Sequence, residues 1–114
     1  MKPTPEFETA VNSFFEGCKA IMEENYNNNF NGKPYPEELR ETLVMSFGSR
    51  YARIDRARKS DLRPNSIHVF VDIKNGDVLK AASYKAPAKH ARGNIFNADN
   101  GLGCMSAYGA AYLR

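Results

Sequence analysis

The sequence predicts an α+β fold: an antiparallel sheet of three or four strands with an N-terminal helix packed on one face, and a short helix after the last hairpin. Three observations carry this expectation. Residues 4–26 place apolar side chains at helical spacing, whereas residues 42–82 group them into short β-prone runs. Asn75-Gly76 lies between two of those runs, a strong short-range hairpin signal. The chain has 114 residues, 42% hydrophobic and 25% charged, which suits a single domain over residues 1–114.

The helix is written in "TPEFETAVNSFFEGCKAIMEENY". Thr4 is placed to cap it, Pro5 suits the first helical position, and Glu6 and Glu8 complement the positive end of the helix dipole. Phe7, Val11, Phe14, Phe15, Cys18, Ile21 and Met22 make one stripe, with Glu16, Lys19 and Glu23 off it. Such a stripe forms core, so the helix is expected to lie against the sheet.

"NNNFNGKPYP" breaks the pattern as a connection, and "PEELRE" suits a short helical turn before the first strand. "TLVMSF" and "RYARIDRA" are β-prone and separated by Gly48 and Ser49. They read either as two strands of a hairpin or as one long strand bulged at Gly48. "KSDLRPNS" reads as a loop.

"SIHVFVDIKNGDVLKAAS" reads as a hairpin whose register follows from its side chains. A two-residue loop at Asn75-Gly76 would set Val71 opposite Lys80 and Asp72 opposite Leu79, mixing charge and oil on both faces. A three-residue loop, 74–76 with Gly76 left-handed, pairs Val71 with Leu79 and Phe70 with Lys80. One face is then Ile67, Val69, Val71, Ile73, Leu79 and Ala81, wholly apolar and suited to the helix. The other holds His68, Phe70, Asp72, Val78 and Lys80. A one-residue slip would turn every side chain over, so the consistent pattern is preferred.

Beyond the hairpin, Pro87 is placed to open a short helix that Gly93 ends. The tail "NADNGLGCMSAYGAAYLR" is expected to be irregular, anchored by Leu102, Met105, Tyr108, Tyr112 and Leu113.

Charge is divided unevenly. Residues 1–45 carry four Lys/Arg against eight Asp/Glu, and residues 46–114 carry twelve against five. An acidic cover on a basic body points to a polyanionic partner. On the short helix, Lys85, Lys89 and Arg92 would fall at i, i+4 and i+7 on one side, with His90 beside them. That row could follow a phosphate backbone, or it is simply a solvated face. On the mixed sheet face, Tyr51 and Arg53 would join Phe70, Lys80 and His68 if Ile54 points inward. Aromatics interleaved with cations hold single-stranded nucleic acid by stacking and phosphate pairing. The competing reading packs Phe70 under the C-terminal tail. "ARIDRARK" likewise reads either as part of that surface or as a charged edge strand.

No phosphate-binding loop, dinucleotide fingerprint or metal-spaced Cys/His set is present, and no cofactor is expected. No motif argues for an enzyme. Cys18 and Cys104 are expected as free thiols. No apolar run is long enough to span a bilayer and no signal-peptide pattern precedes the domain, so a soluble intracellular protein without a membrane partner is expected.

The core "KAPAKHARGN", residues 85–94, together with "GDVLKAAS" before it and "GSRYARI" at 48–54, resembles a family of small proteins of tailed bacteriophages. The resemblance covers roughly the C-terminal two thirds of the chain. It implies a phage accessory protein in the host bacterial cytoplasm and supplies no catalytic residues. The function expected is a binding protein for nucleic acid or another phosphate-rich ligand. The alternatives are an early factor that inhibits or redirects a host bacterial protein, and capture of a small nucleotide beside the 85–92 segment.

Overall fold

A computed structural model describes residues 2–28, 33–83 and 86–110. Helix α1, Pro5–Asn27, begins where the sequence places it: the Thr4 side chain accepts a hydrogen bond from the Phe7 amide at 3.0 Å. Phe7, Val11, Phe14, Cys18 and Met22 are buried along one side, and Phe15 packs at the margin of the same core. A 3-10 turn at Glu37–Leu39 then leads into the sheet, as "PEELRE" suggests.

The sheet is antiparallel with five strands in the order β1-β2-β3-β4-β5: Glu41–Phe47, Tyr51–Arg58, Pro64–Asp72, Asp77–Leu79 and Gly93–Asn94. β1 and β2 form a hairpin, closed by the Gly48 amide donating to the Tyr51 carbonyl at 2.9 Å, so the single bulged strand is ruled out. Irregularities in the β2–β3 register fall between Ile54 and Asp55 and between Arg56 and Ala57, and the first leaves His68 as the extra residue of β3. Ala52, Ile54, Val69, Val71, Ile73 and Val78 join the helix side chains in one core. β3 starts at Pro64, inside the stretch read as a loop.

The β3–β4 register differs from the expected one. Phe70 faces Leu79 and Val71 faces Val78, so the connection is four residues, 73–76, with Gly76 at φ 81° as anticipated. Asp72 holds this turn: its carbonyl accepts from the Gly76 amide at 2.7 Å and its side chain from the Lys74 amide at 2.8 Å. Val78 therefore enters the helix-side core and Leu79 joins Phe70 on the far face. Both residues are buried, at 0% and 8% exposed. The expected register presumes one apolar face and one wet face; with both covered, alternation does not choose between registers.

The short helix expected after the hairpin does not form. Residues 86–95 run back along β4: Ala81 bridges Pro87, and the amides of Ala88, Arg92 and Ile95 donate to the carbonyls of Lys80, Val78 and Gly76. Amides bound across to a strand cannot also close helical turns, and His90 at φ 60° breaks any spiral. This return path supplies the fifth strand.

The tail is more ordered than expected. A 3-10 turn at Leu102–Cys104 packs on α1, so closely that a Cβ on Gly17 would lie 2.5 Å from Leu102. Strands β6, Met105–Ser106, and β7, Gly109–Ala110, make a separate two-stranded ribbon. Leu102 and Met105 anchor it as expected, but Tyr108 is 77% exposed at its tip. Tyr112 and Leu113 lie outside the described residues. Among the described residues no helix is long and apolar enough to cross a membrane.

Candidate functional site

Tyr51, Arg53 and Phe70 do meet on the sheet face away from α1. Arg53 pairs with Phe70 across β2–β3, and the Tyr51 and Phe70 rings touch edge-on at 5.8 Å. The surface they form is not the stacking platform expected. Phe70 is 4% exposed, so no base can lie on it. Arg53 donates to both oxygens of buried Asp55, at 2.9 and 3.1 Å. Arg50 leans over Tyr51 and bonds buried Asp72 at 3.2 Å, which raises its own pKa. Cations and carboxylates alternate here, and the face offers little net charge to a polyanion.

Lys80 belongs to a different surface. Its ammonium donates to the Ala110 carbonyl at 3.1 Å, and Arg56 similarly donates to the Ala107 carbonyl. These two cations grip the β6–β7 ribbon, and Arg56 also stands 6.0 Å from the Tyr108 ring. His68 lies beneath the ribbon: a Cβ on Gly109 would sit 2.8 Å from its carbonyl oxygen. Its ring is buried with neither nitrogen hydrogen-bonded. Burial first, and the Arg56 charge second, push its pKa down to about 4, so it is neutral at pH 7.

Lys85 lies outside the described residues. Lys89, His90 and Arg92 are brought together, though not by a helix. The Arg92 guanidinium folds back to the backbone carbonyls of His90 at 2.5 Å and Lys89 at 3.3 Å, so the three basic residues share one turn. Lys89 and His90 are exposed. The turn is tied to Lys80 through the Ala88 amide, 2.7 Å from the Lys80 carbonyl. No acidic residue occurs between Asp77 and Asp99, so this stretch is the most one-sided in charge along the chain. His90 also carries a left-handed backbone, a conformation that non-glycine residues hold at a cost and that recurs at functional sites.

The sequence pattern gives little sign of a second cationic place. Arg58, Arg63, Pro64 and Asn65 line an open cleft of about 530 Å³ at the β2–β3 connection. The only signal for it is the spacing of Arg58 and Arg63 across a stretch that reads as a loop. Acids accompany the arginines. Asp61 accepts from Arg58 at 2.6 Å and from the Arg63 amide, which holds its pKa low, and Glu41 accepts from Asn65. The cleft is therefore mixed in charge.

Neither thiol is poised as a nucleophile. Burial, with a smaller contribution from Cys104, pushes the Cys18 pKa up to about 12, and burial also raises that of Cys104. Among the described residues no group of three or more His, Cys, Asp and Glu side chains could hold a metal ion. Of these places, the 86–92 turn is the one where cations stand in a stretch of chain without acids.

No curated protein and no solved structure matches the chain. A family model does, over residues 5–112, which takes in the helix, the whole sheet and the ribbon. The chain belongs to this family of unknown function, DUF7717.

Proposed function

We propose that this protein is a non-enzymatic binding protein for nucleic acid or another phosphate-rich ligand, and that the 86–92 turn is its contact. One observation carries the reading: Lys89, His90 and Arg92 are gathered on an exposed turn within an acid-free stretch of chain. Lys89 and Arg92 supply fixed charge and His90 adds hydrogen bonds, a combination suited to phosphate oxygens. The resemblance of residues 85–94 to small tailed-bacteriophage proteins supports placing this role in a phage accessory protein acting in the host bacterial cytoplasm.

Fluorescence anisotropy with single- and double-stranded oligonucleotides at two salt concentrations tests the reading. Binding is expected to weaken steeply with salt. Lys89→Gln with His90→Gln should reduce both the affinity and the salt slope, the slope by about one for each phosphate no longer neutralised. Tyr51→Ala should leave binding unchanged. Absence of binding at low salt, or a weakening caused by Tyr51→Ala and not by the turn variants, overturns it.

The exposed Tyr108, set beside Arg56 at the ribbon tip, favours a second reading, contact with a host protein. A bacterial partner that survives nuclease and salt in a pull-down, and is absent with Tyr108→Ser, would support it. The third reading, small-nucleotide capture beside residues 85–92, loses the helix expected to frame it, since residues 86–92 form none.

A further inference from the structure

The two edges of the main sheet are treated very differently. One ends in β5, two residues long and followed at once by turns. The other is β1, seven residues in unbroken register with β2. Exposed edges are ordinarily blunted by lysine, proline, a bulge or a covering segment. "ETLVMSF" contains no lysine, arginine or proline, and its pairing has no irregularity.

The hydrogen-bond phase of β1 follows from its hairpin. Gly48 and Tyr51 are a bonded pair, so Ser46, Val44 and Thr42 also turn their backbone groups toward β2. Glu41, Leu43, Met45 and Phe47 turn theirs away. The first of these is accounted for, because the Glu41 amide donates to the Tyr26 hydroxyl at 3.1 Å. No described residue pairs with the amides and carbonyls of Leu43, Met45 and Phe47. Phe47 is also 47% exposed, with one edge against Phe7.

These groups suit one partner in particular, a second copy of the same strand. Antiparallel pairing about a two-fold axis at Met45 sets Met45 opposite Met45 and Leu43 opposite Phe47, and every outward amide and carbonyl of the three then finds a mate. The same register brings apolar side chains together on the helix side and sets Val44 opposite Ser46 on the other. No charged side chain meets a like charge, since Glu41 is the strand's only ionisable residue and lies beyond the paired segment. We infer that β1 is a homodimer interface, joining two five-stranded sheets into one continuous sheet through Leu43, Met45 and Phe47.

Light scattering coupled to size exclusion, on the full chain over a dilution series, tests this inference. The wild type should show twice the chain mass, falling by half on dilution. Val44→Lys with Ser46→Lys opposes like charges across the axis and should leave the monomer at all concentrations, with an unchanged circular-dichroism spectrum. Val44→Lys with Ser46→Glu opposes unlike charges in this register and should restore the doubled mass. A wild type that is monomeric throughout, a dimer indifferent to the first variant, or a second variant that stays monomeric overturns the inference.

Discussion

Residues 5–79 and residues 80–110 are held together by different physics. In the first part, side chains repeat at the helical or strand period and bury one another, with Phe14, Val11, Ile54, Val69 and Val71 all essentially inaccessible. In the second, short polar side chains bind backbone groups one at a time. Asp99 accepts from the amides of Gly101 and Gly103, Asn94 bonds Phe96, Asn75 and Asp77, and Asn100 reaches Ala10 and Ile95. The first kind of structure is cooperative and apolar; the second is a series of local fastenings laid over it. The fold therefore has one engine and a tailored cover, and mutations should sort accordingly.

The largest effect is expected in the apolar part. Phe14→Ala should cost about 3–5 kcal/mol in a urea melt, since the ring is wholly enclosed and the helix cannot collapse onto the gap. A cost below that of any cover variant would erase the contrast.

His68 sits on the seam, its backbone carbonyl against Gly109 of the ribbon and its ring buried. An unfolded histidine titrates near 6.5 and this one at about 4, so between those values the unfolded chain holds a proton the folded chain refuses. Stability should be complete above pH 6.5 and fall as the pH is lowered toward 4, by roughly 3 kcal/mol in all. His68→Phe should flatten that part of the profile, and an unaltered profile would place the acid sensitivity elsewhere.

Within the cover, Asn100→Ala should cost about 1–3 kcal/mol, because the carbonyls of Ala10 and Ile95 lose their donor. Asn100 is also left-handed, at φ 58°. Asn100→Gly relieves that geometry without restoring the bonds, so the gap between the two variants in thermal melts separates strain from fastening. Smallest of all, Lys59→Met should change stability by less than about 1 kcal/mol, since its bridges to Glu23 and Glu37 are open to solvent.

The same contrast explains what is legible in the sequence. Helix α1 is legible from its cap to its last turn because Phe7 through Met22 obey a single period. Gly76 is legible because only a left-handed residue closes that turn. The β3–β4 register is not, because Val78 and Leu79 are both apolar and both buried, and alternation is silent when neither face is wet. The 86–92 turn defeats the reading for a different reason. Pro87 and Gly93 can bound a helix, but the choice is made by the carbonyls of Val78 and Lys80, which compete for the same amides. Lys89 and Arg92 do come together, on a different backbone from the one expected. Arg53 and Phe70 do share one face, but the burial of Asp55 beside them depends on long-range packing that no local pattern records.

The grip of Arg56 and Lys80 on the ribbon has a consequence for how the chain is made. Arg56 and His68 leave the ribosome well before Ala107 and Gly109, the residues that engage and cover them. During that interval the helix and β1 to β3 can assemble, but the seam above His68 stands open. The native state can be completed only once residues 107–110 have emerged, and a chain stopped before Ala107 should persist with that seam accessible to proteases and chaperones.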